Sequence, residues 1–145
     1  MKNLVKIFVL SNILIPSLFF GQTRCDSLGG IVKGMLNENN DSFYSNGQSY
    51  KYFFGEDESA EIITTFYEGT TYRIATSAGL EDNYMIFEIL DQERNLLFSN
   101  TDFSNEPYWD FKVENTLECT IEAKLDPNKK LNGCAQLIIA FKKGN

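Results

Sequence analysis

The amino-acid sequence predicts an all-β protein, an antiparallel β-sandwich of about eight strands in jelly-roll or Greek-key order with a short N-terminal helix. Three observations carry that expectation. Apolar and polar residues alternate in one short run after another, the pattern of strands with one buried face. Polar clusters rich in Gly, Asn, Asp and Pro separate these runs at close spacing. Hydrophobic residues make up 43% and aromatics 14% of the 145 residues, enough for the core of one domain and too many for a disordered chain.

A targeting segment precedes the strands. Met1 to Lys6 is short and basic, an apolar run extends from Ile7 to Phe20, and Gly21 precedes polar Gln22-Thr23-Arg24. This is the layout of a secretory signal peptide over residues 1–21, which leaves residues 22–145 as a secreted domain in the periplasm or outside the cell. The apolar run is too short and too interrupted for a comfortable bilayer span. Lipid attachment at Cys25 is disfavoured, because Gln22-Thr23-Arg24 stands where a small apolar run is needed, so the chain is not expected to be a lipoprotein.

After this segment Leu28, Ile31, Val32, Met35 and Leu36 form one apolar stripe of a short helix, with Asp26 or Ser27 as its N-cap. Gly29, Gly30 and Gly34 each weaken it by about 1 kcal/mol relative to alanine, so it must dock on the sandwich to persist. Residues 37–47 read as a polar loop. Ser49 to Phe54 places Tyr50, Tyr52 and Phe54 on one strand face. Ala60 to Tyr67 and Thr70 to Ser77 read as a hairpin around Gly69, with Tyr72 and Ile74 facing the core and Arg73 facing outward. Tyr84 to Leu90 is apolar on both faces, as a central strand is. A turn at Asp91 to Asn95 leads into Leu96-Leu97-Phe98. A polar loop over 99–107 precedes Tyr108 to Val113, where Trp109, Phe111 and Val113 share a face. Leu117, Cys119, Ile121 and Ala123 alternate inward on the next strand, and Cys134 to Phe141 closes the domain.

Charge and composition exclude several classes of function. Without Lys2 and Lys6 the chain holds 11 basic against 20 acidic side chains, a net charge of −9. Such a surface repels phosphate backbones and anionic lipid, so neither nucleic acid nor a membrane span is expected among its partners. The chain contains no histidine. That removes Ser-His-Asp and Cys-His catalysis and His-ligated zinc. Glu88 and Asp91 fail as a glycosidase pair, since by parity they face opposite sides of one strand. The expectation is a protein that is not an enzyme and uses no cofactor.

The strand pattern resembles the bacterial pre-peptidase C-terminal domain. Gly69, Tyr72 and Ile74 match its Gly-x-x-Tyr-x-Ile strand, and Phe87, Ile89, Leu90, Asp91 and Leu96-Leu97 match its strand with an Asp-x-x-x-x-Leu turn. In the late strand Thr116 to Ile121 stands where that family carries Gly-x-Tyr-x-Val. The chain also resembles small secreted sandwiches of the Bacteroidota, through Tyr108 to Phe111, Thr120 to Glu122 and Gly133 to Lys142. These resemblances imply a sandwich with an accessory or binding role and no catalytic residues.

Three cysteines in a secreted chain suggest one disulfide and one thiol. Cys119 shares its face with Leu117 and Ile121, whereas Cys134 shares its face with Gln136 unless a bulge at Gly133 resets the register. Pointing to opposite sides, these two cannot bridge. The expected pair is Cys25 and Cys134, with Cys119 a buried thiol. Candidate ligand contacts are Phe43, Tyr44, Tyr108 and Trp109, whose rings suit sugar stacking, although aromatics at strand spacing more often belong to the core. Asp102 and Glu106 are the oxygen donors a weakly held calcium would find in the loops, without any EF-hand spacing. Two functional readings result: a structural, accessory or interaction module, and alternatively a carbohydrate-binding module assisted by calcium. Either would place the working surface in the loops over 37–46 and 100–109, with a protein or a glycan as partner.

Overall fold

In the computed structural model, which describes residues 23–38, 42–79 and 83–143, the alternating runs form eight strands. The expected signal peptide lies outside the described residues. The strands are β1 (Tyr44–Phe54), β2 (Ser59–Phe66), β3 (Thr70–Ser77), β4 (Met85–Leu90), β5 (Leu96–Ser99), β6 (Tyr108–Lys112), β7 (Leu117–Leu125) and β8 (Gly133–Lys143). They build two four-stranded antiparallel sheets, ordered β1-β8-β3-β6 and β2-β7-β4-β5. The pairs β1·β8, β2·β7, β3·β6 and β4·β5 are nested one inside the next, which is jelly-roll winding. Inward residues of both sheets fill the core, and Phe66, Ile74, Phe87, Ile121 and Ile139 are each at most 1% exposed. Each such side chain contributes about 1.5–3 kcal/mol by leaving water.

Two sequence expectations are corrected. The segments on either side of Gly69 are not a hairpin, because β2 and β3 lie in different sheets. The chain arches across the core, so Phe66 and Tyr72 meet as rings 4.8 Å apart instead of lying side by side in a ladder. The arch is held by other segments: Val113 accepts from the Gly69 N–H (2.9 Å) and donates to the Thr70 carbonyl (3.0 Å). The Tyr72 hydroxyl accepts from the Tyr67 N–H. Gly69 takes φ +76°, a conformation that favours glycine. The second correction concerns residues 44–47, read as loop but part of β1. Tyr44 and Ser45 already pair with Phe141 and Ala140, and the register then shifts before Ser49. Gly47, at φ +93°, sits within that irregularity.

Helix α1 (Thr23–Asp26) leads into α2 (Leu28–Met35), which lies against the outer face of the β1-β8-β3-β6 sheet. The expected stripe is the buried one: Val32, Met35 and Leu36 pack with Phe43, Ala75, Ile138 and Ala140 in a second, smaller core. Ser27 is itself helical and makes no capping bond through its side chain, since the preceding turn is already helical. Arg73 faces outward as expected, yet it is 1% exposed because α2 covers it. Its Nε and Nη2 donate to the two oxygens of Asp110 at 2.6 and 2.7 Å, and Nη1 donates to the Met35 carbonyl at 2.6 Å. The guanidinium also lies 4.2 Å from the Phe43 ring centre and 4.5 Å from that of Tyr108. A disulfide joins Cys25 to Cys134, ahead of α2 and at the start of β8, while Cys119 is buried and free.

Each of these three attachments gives an expected outcome. Asp110→Ala leaves a buried guanidinium uncompensated, and urea unfolding should register a loss of about 3 kcal/mol. Asp26→Ala removes an exposed ion pair to Lys51 and should change stability by less than about 0.5 kcal/mol. Non-reducing peptide mapping should recover a 25–134 pair. Reducing it should cost about 4–5 kcal/mol, the chain-entropy value for a loop of roughly a hundred residues.

Candidate functional site

Jelly-roll winding puts the two shortest strands, β5 and β6, at matching edges of the two sheets. Between them the sandwich is open. The opening is a concavity of about 590 Å³, walled by Leu97 and Phe98 of β5, Trp109 and Phe111 of β6, and Phe66, Ile89 and Val113 from the core. Lys112, Glu114 and Asn115 stand at it as well, and Leu117 and Cys119 of β7 complete its lining. Its size falls in the ordinary range of ligand pockets.

The wall is a connected aromatic array. Trp109 lies 4.1 Å from Phe103 and 5.1 Å from Phe98, and Phe98 lies 5.6 Å from the core residue Phe87. Phe103 arrives there through a 3-10 helix, Asn100–Phe103, fixed from beneath by Asn100. That side chain is fully buried: its Oδ1 accepts from the Phe87 N–H at 2.9 Å, and its Nδ2 donates to the Met85 and Glu106 carbonyls. Thr76 anchors the other end of the loop through two bonds to the Pro107 carbonyl. Leu96, Leu97 and Phe103 are 55%, 50% and 44% exposed, so strand β5 and the 3-10 helix present an apolar rim to solvent. Contiguous exposed apolar surface marks interaction sites.

A second hollow, of about 350 Å³, adjoins the first and shares Leu117 with it. It is lined by Asp91, Gln92 and Glu93 of the β4–β5 turn and by Thr116 and Glu118. Asp91 organises that turn, accepting from the N–H groups of Glu93 and Asn95 and from the Asn95 side chain. The Asn95 bonds hold its carboxyl below the ordinary value, so it stays ionised. Burial, and then the charges of Asp91 and Glu118, push the Cys119 thiol up. Cys119 is therefore a neutral thiol at physiological pH. Because its folded-state value is raised, its contribution to stability is present through neutral pH and is lost only as an alkaline solution passes that value.

The four aromatics singled out from the sequence do not form one platform. Phe43 is buried under α2 against Arg73, and Tyr108 is half-buried on that same side. Tyr44 is exposed on β1, the opposite edge of the sheet. Trp109, next to Tyr108 in the strand, points the other way into the groove. Asp102 and Glu106 are exposed on the loop beneath which Asn100 sits. Among the described residues no group of three or more His, Cys, Asp or Glu side chains could hold a metal ion. None of the described helices is long and apolar enough to cross a membrane. Leu97, Phe98 and Phe103 escaped the sequence reading, the first two as part of an ordinary strand and Phe103 as a lone ring in a polar loop.

The fold and the groove together define a jelly-roll sandwich with an apolar contact surface at one open edge. No family model and no curated protein matches the sequence. Among solved structures, the chain is similar to PliG of Aeromonas hydrophila, a periplasmic lysozyme inhibitor of g-type lysozyme. The identity is 9%, the TM-score 0.51, and the likeness covers 68% of this chain and 91% of that one. At this identity the likeness is one of fold.

The state of Cys119 gives a direct check on the groove's floor. Iodoacetamide at pH 8 should leave the native thiol unlabelled and should label it fully once the protein is unfolded in denaturant.

Proposed function

We propose that this protein is an extracytoplasmic, non-enzymatic interaction module that binds a protein partner at the opening between β5 and β6. One observation carries the reading: Leu97, in the wall of the Trp109 groove, its neighbour Leu96 and Phe103, which lies against Trp109, expose apolar side chains to solvent. The groove offers contact and little chemistry. Its ionisable members are Lys112 and Glu114, a pair of opposite charges, and a thiol kept neutral. The Cys25–Cys134 disulfide suits an oxidising compartment, and PliG, which shares the fold, is by its description a periplasmic inhibitor of another protein. The kinship we propose is with the pre-peptidase C-terminal domain and the secreted Bacteroidota sandwiches, which agrees with an accessory role.

A second reading, a carbohydrate-binding module, draws on the Trp109 and Phe103 rings with Asp102 and Glu106 on the neighbouring loop as calcium ligands. It is the weaker one. Phe98 and Phe103 already lie against Trp109, whereas a sugar needs an open ring face.

The test compares residues 22–145 with the double variant Leu96→Asp/Leu97→Asp, both positions being exposed. Binding is measured to g-type lysozyme and to proteins of the producing cell's envelope. A partner should bind the native surface saturably and lose at least about tenfold in affinity for the variant, the effect of burying an unpaired charge in an apolar contact. Equal affinity for both would remove the groove from the interaction. A glycan array with and without calcium decides the second reading, which a blank array would eliminate.

A further inference from the structure

Two adjoining hollows of different chemistry lie at one end of the sandwich, and together they specify what kind of segment the groove receives. The larger is apolar and aromatic. The smaller brings the carboxylates of Asp91, Glu93 and Glu118 to its walls, and Leu117 belongs to both. We infer that the pair forms a two-part site for a cationic segment of a partner protein, with an apolar side chain in the groove and a flanking Lys or Arg against the acidic hollow. The inference rests on the protein-binding reading above and gives the partner its chemistry.

The charge balance around the hollow supports a cation there. Arg94 belongs to the same turn, but its guanidinium is engaged by Glu61 at 2.9 Å and Glu122 at 3.4 Å. Lys112 stands at the apolar groove, where Glu114 offsets it. Glu118 accepts one bond from Gln92 and Glu93 a long one from Asn95, and neither carboxylate forms an ion pair among the described residues. The negative potential reaches the groove itself, since Asp91 and Glu118 both act on the thiol at its floor. Opposite charges at the rim of an apolar contact speed encounter and fix register, while the apolar anchor supplies most of the affinity. The net charge of −9 over residues 22–145 extends the same preference to the whole surface.

The chain's single tryptophan, Trp109, lines the groove and reports on its occupancy. The probe is a tryptophan-free peptide, Lys-Arg-Leu-Leu-Arg-Lys, titrated into residues 22–145 while Trp109 emission is followed. Its controls carry Glu for every cation or Ser for both leucines. The cationic apolar peptide should give a saturable change, and both controls should bind at least about tenfold more weakly. Glu93→Gln/Glu118→Gln should weaken the probe about tenfold, and roughly 0.5 M salt should do the same by screening. Asp91 is left in place because its oxygens hold the turn. Equal binding of the Glu-substituted peptide, or indifference to the Gln pair, would overturn the inference. A protein partner lost by Leu96→Asp/Leu97→Asp and unaffected by Glu93→Gln/Glu118→Gln would overturn it while leaving the groove reading intact. Indifference of that partner to both pairs would overturn both.

Discussion

The attachment of helix to sheet depends on one guanidinium. Arg73 stands in the middle of β3, bonded to Asp110 on β6 in one direction and to the last turn of α2 in the other. A charge this deep in a protein is tolerable only when its donors are satisfied, and here the carboxylate of Asp110 and the Met35 carbonyl take three of them. The rings of Phe43 and Tyr108 complete the cage. Because α2 holds three glycines and is only eight residues long, it has little stability of its own. Its position is set by Arg73, by the small core beneath Val32 and Met35, and by the disulfide at its entry. Those attachments close one outer face of the sandwich and leave contact surface to be found elsewhere.

That surface arises where winding and strand length coincide. The nested pairing sends β5 and β6 to the same side of the two sheets, and their four and five residues are too few to close it. Edge strands usually carry charge or are covered, which guards against unwanted pairing. Here the edge instead exposes Leu96 and Leu97 beside an aromatic wall. Such an exposed apolar edge is a liability unless something uses it.

Much of this architecture was legible in residue parity. Alternation identified the inward faces of β6 and β7, the helical stripe of α2, and the opposed directions of Cys119 and Cys134, from which the bridge to Cys25 followed. Parity says which face is buried, but not which strand lies alongside. The hairpin expected around Gly69 failed for that reason: an arch and a hairpin bury the same residues. Arg73 shows the limit from the other side. Its outward direction was read correctly, and only the tertiary position of α2 makes that direction an interior one. The groove was illegible because Leu97, Phe103, Trp109 and Leu117 come from separate segments, and only the roll of the chain brings them together.

The nested order also bears on how the chain reaches its folded state. Among the described residues β1 pairs only with β8, and β3 needs β8 for one of its two ladders, so the first-made part of this sheet waits for the last strand. A chain emerging N-terminus first therefore lacks the templates that would let it fold early, and its contacts are mostly distant in sequence, which slows folding further. The bridge from Cys25 to Cys134 then ties helix α1, at the head of the described chain, to the start of that last strand.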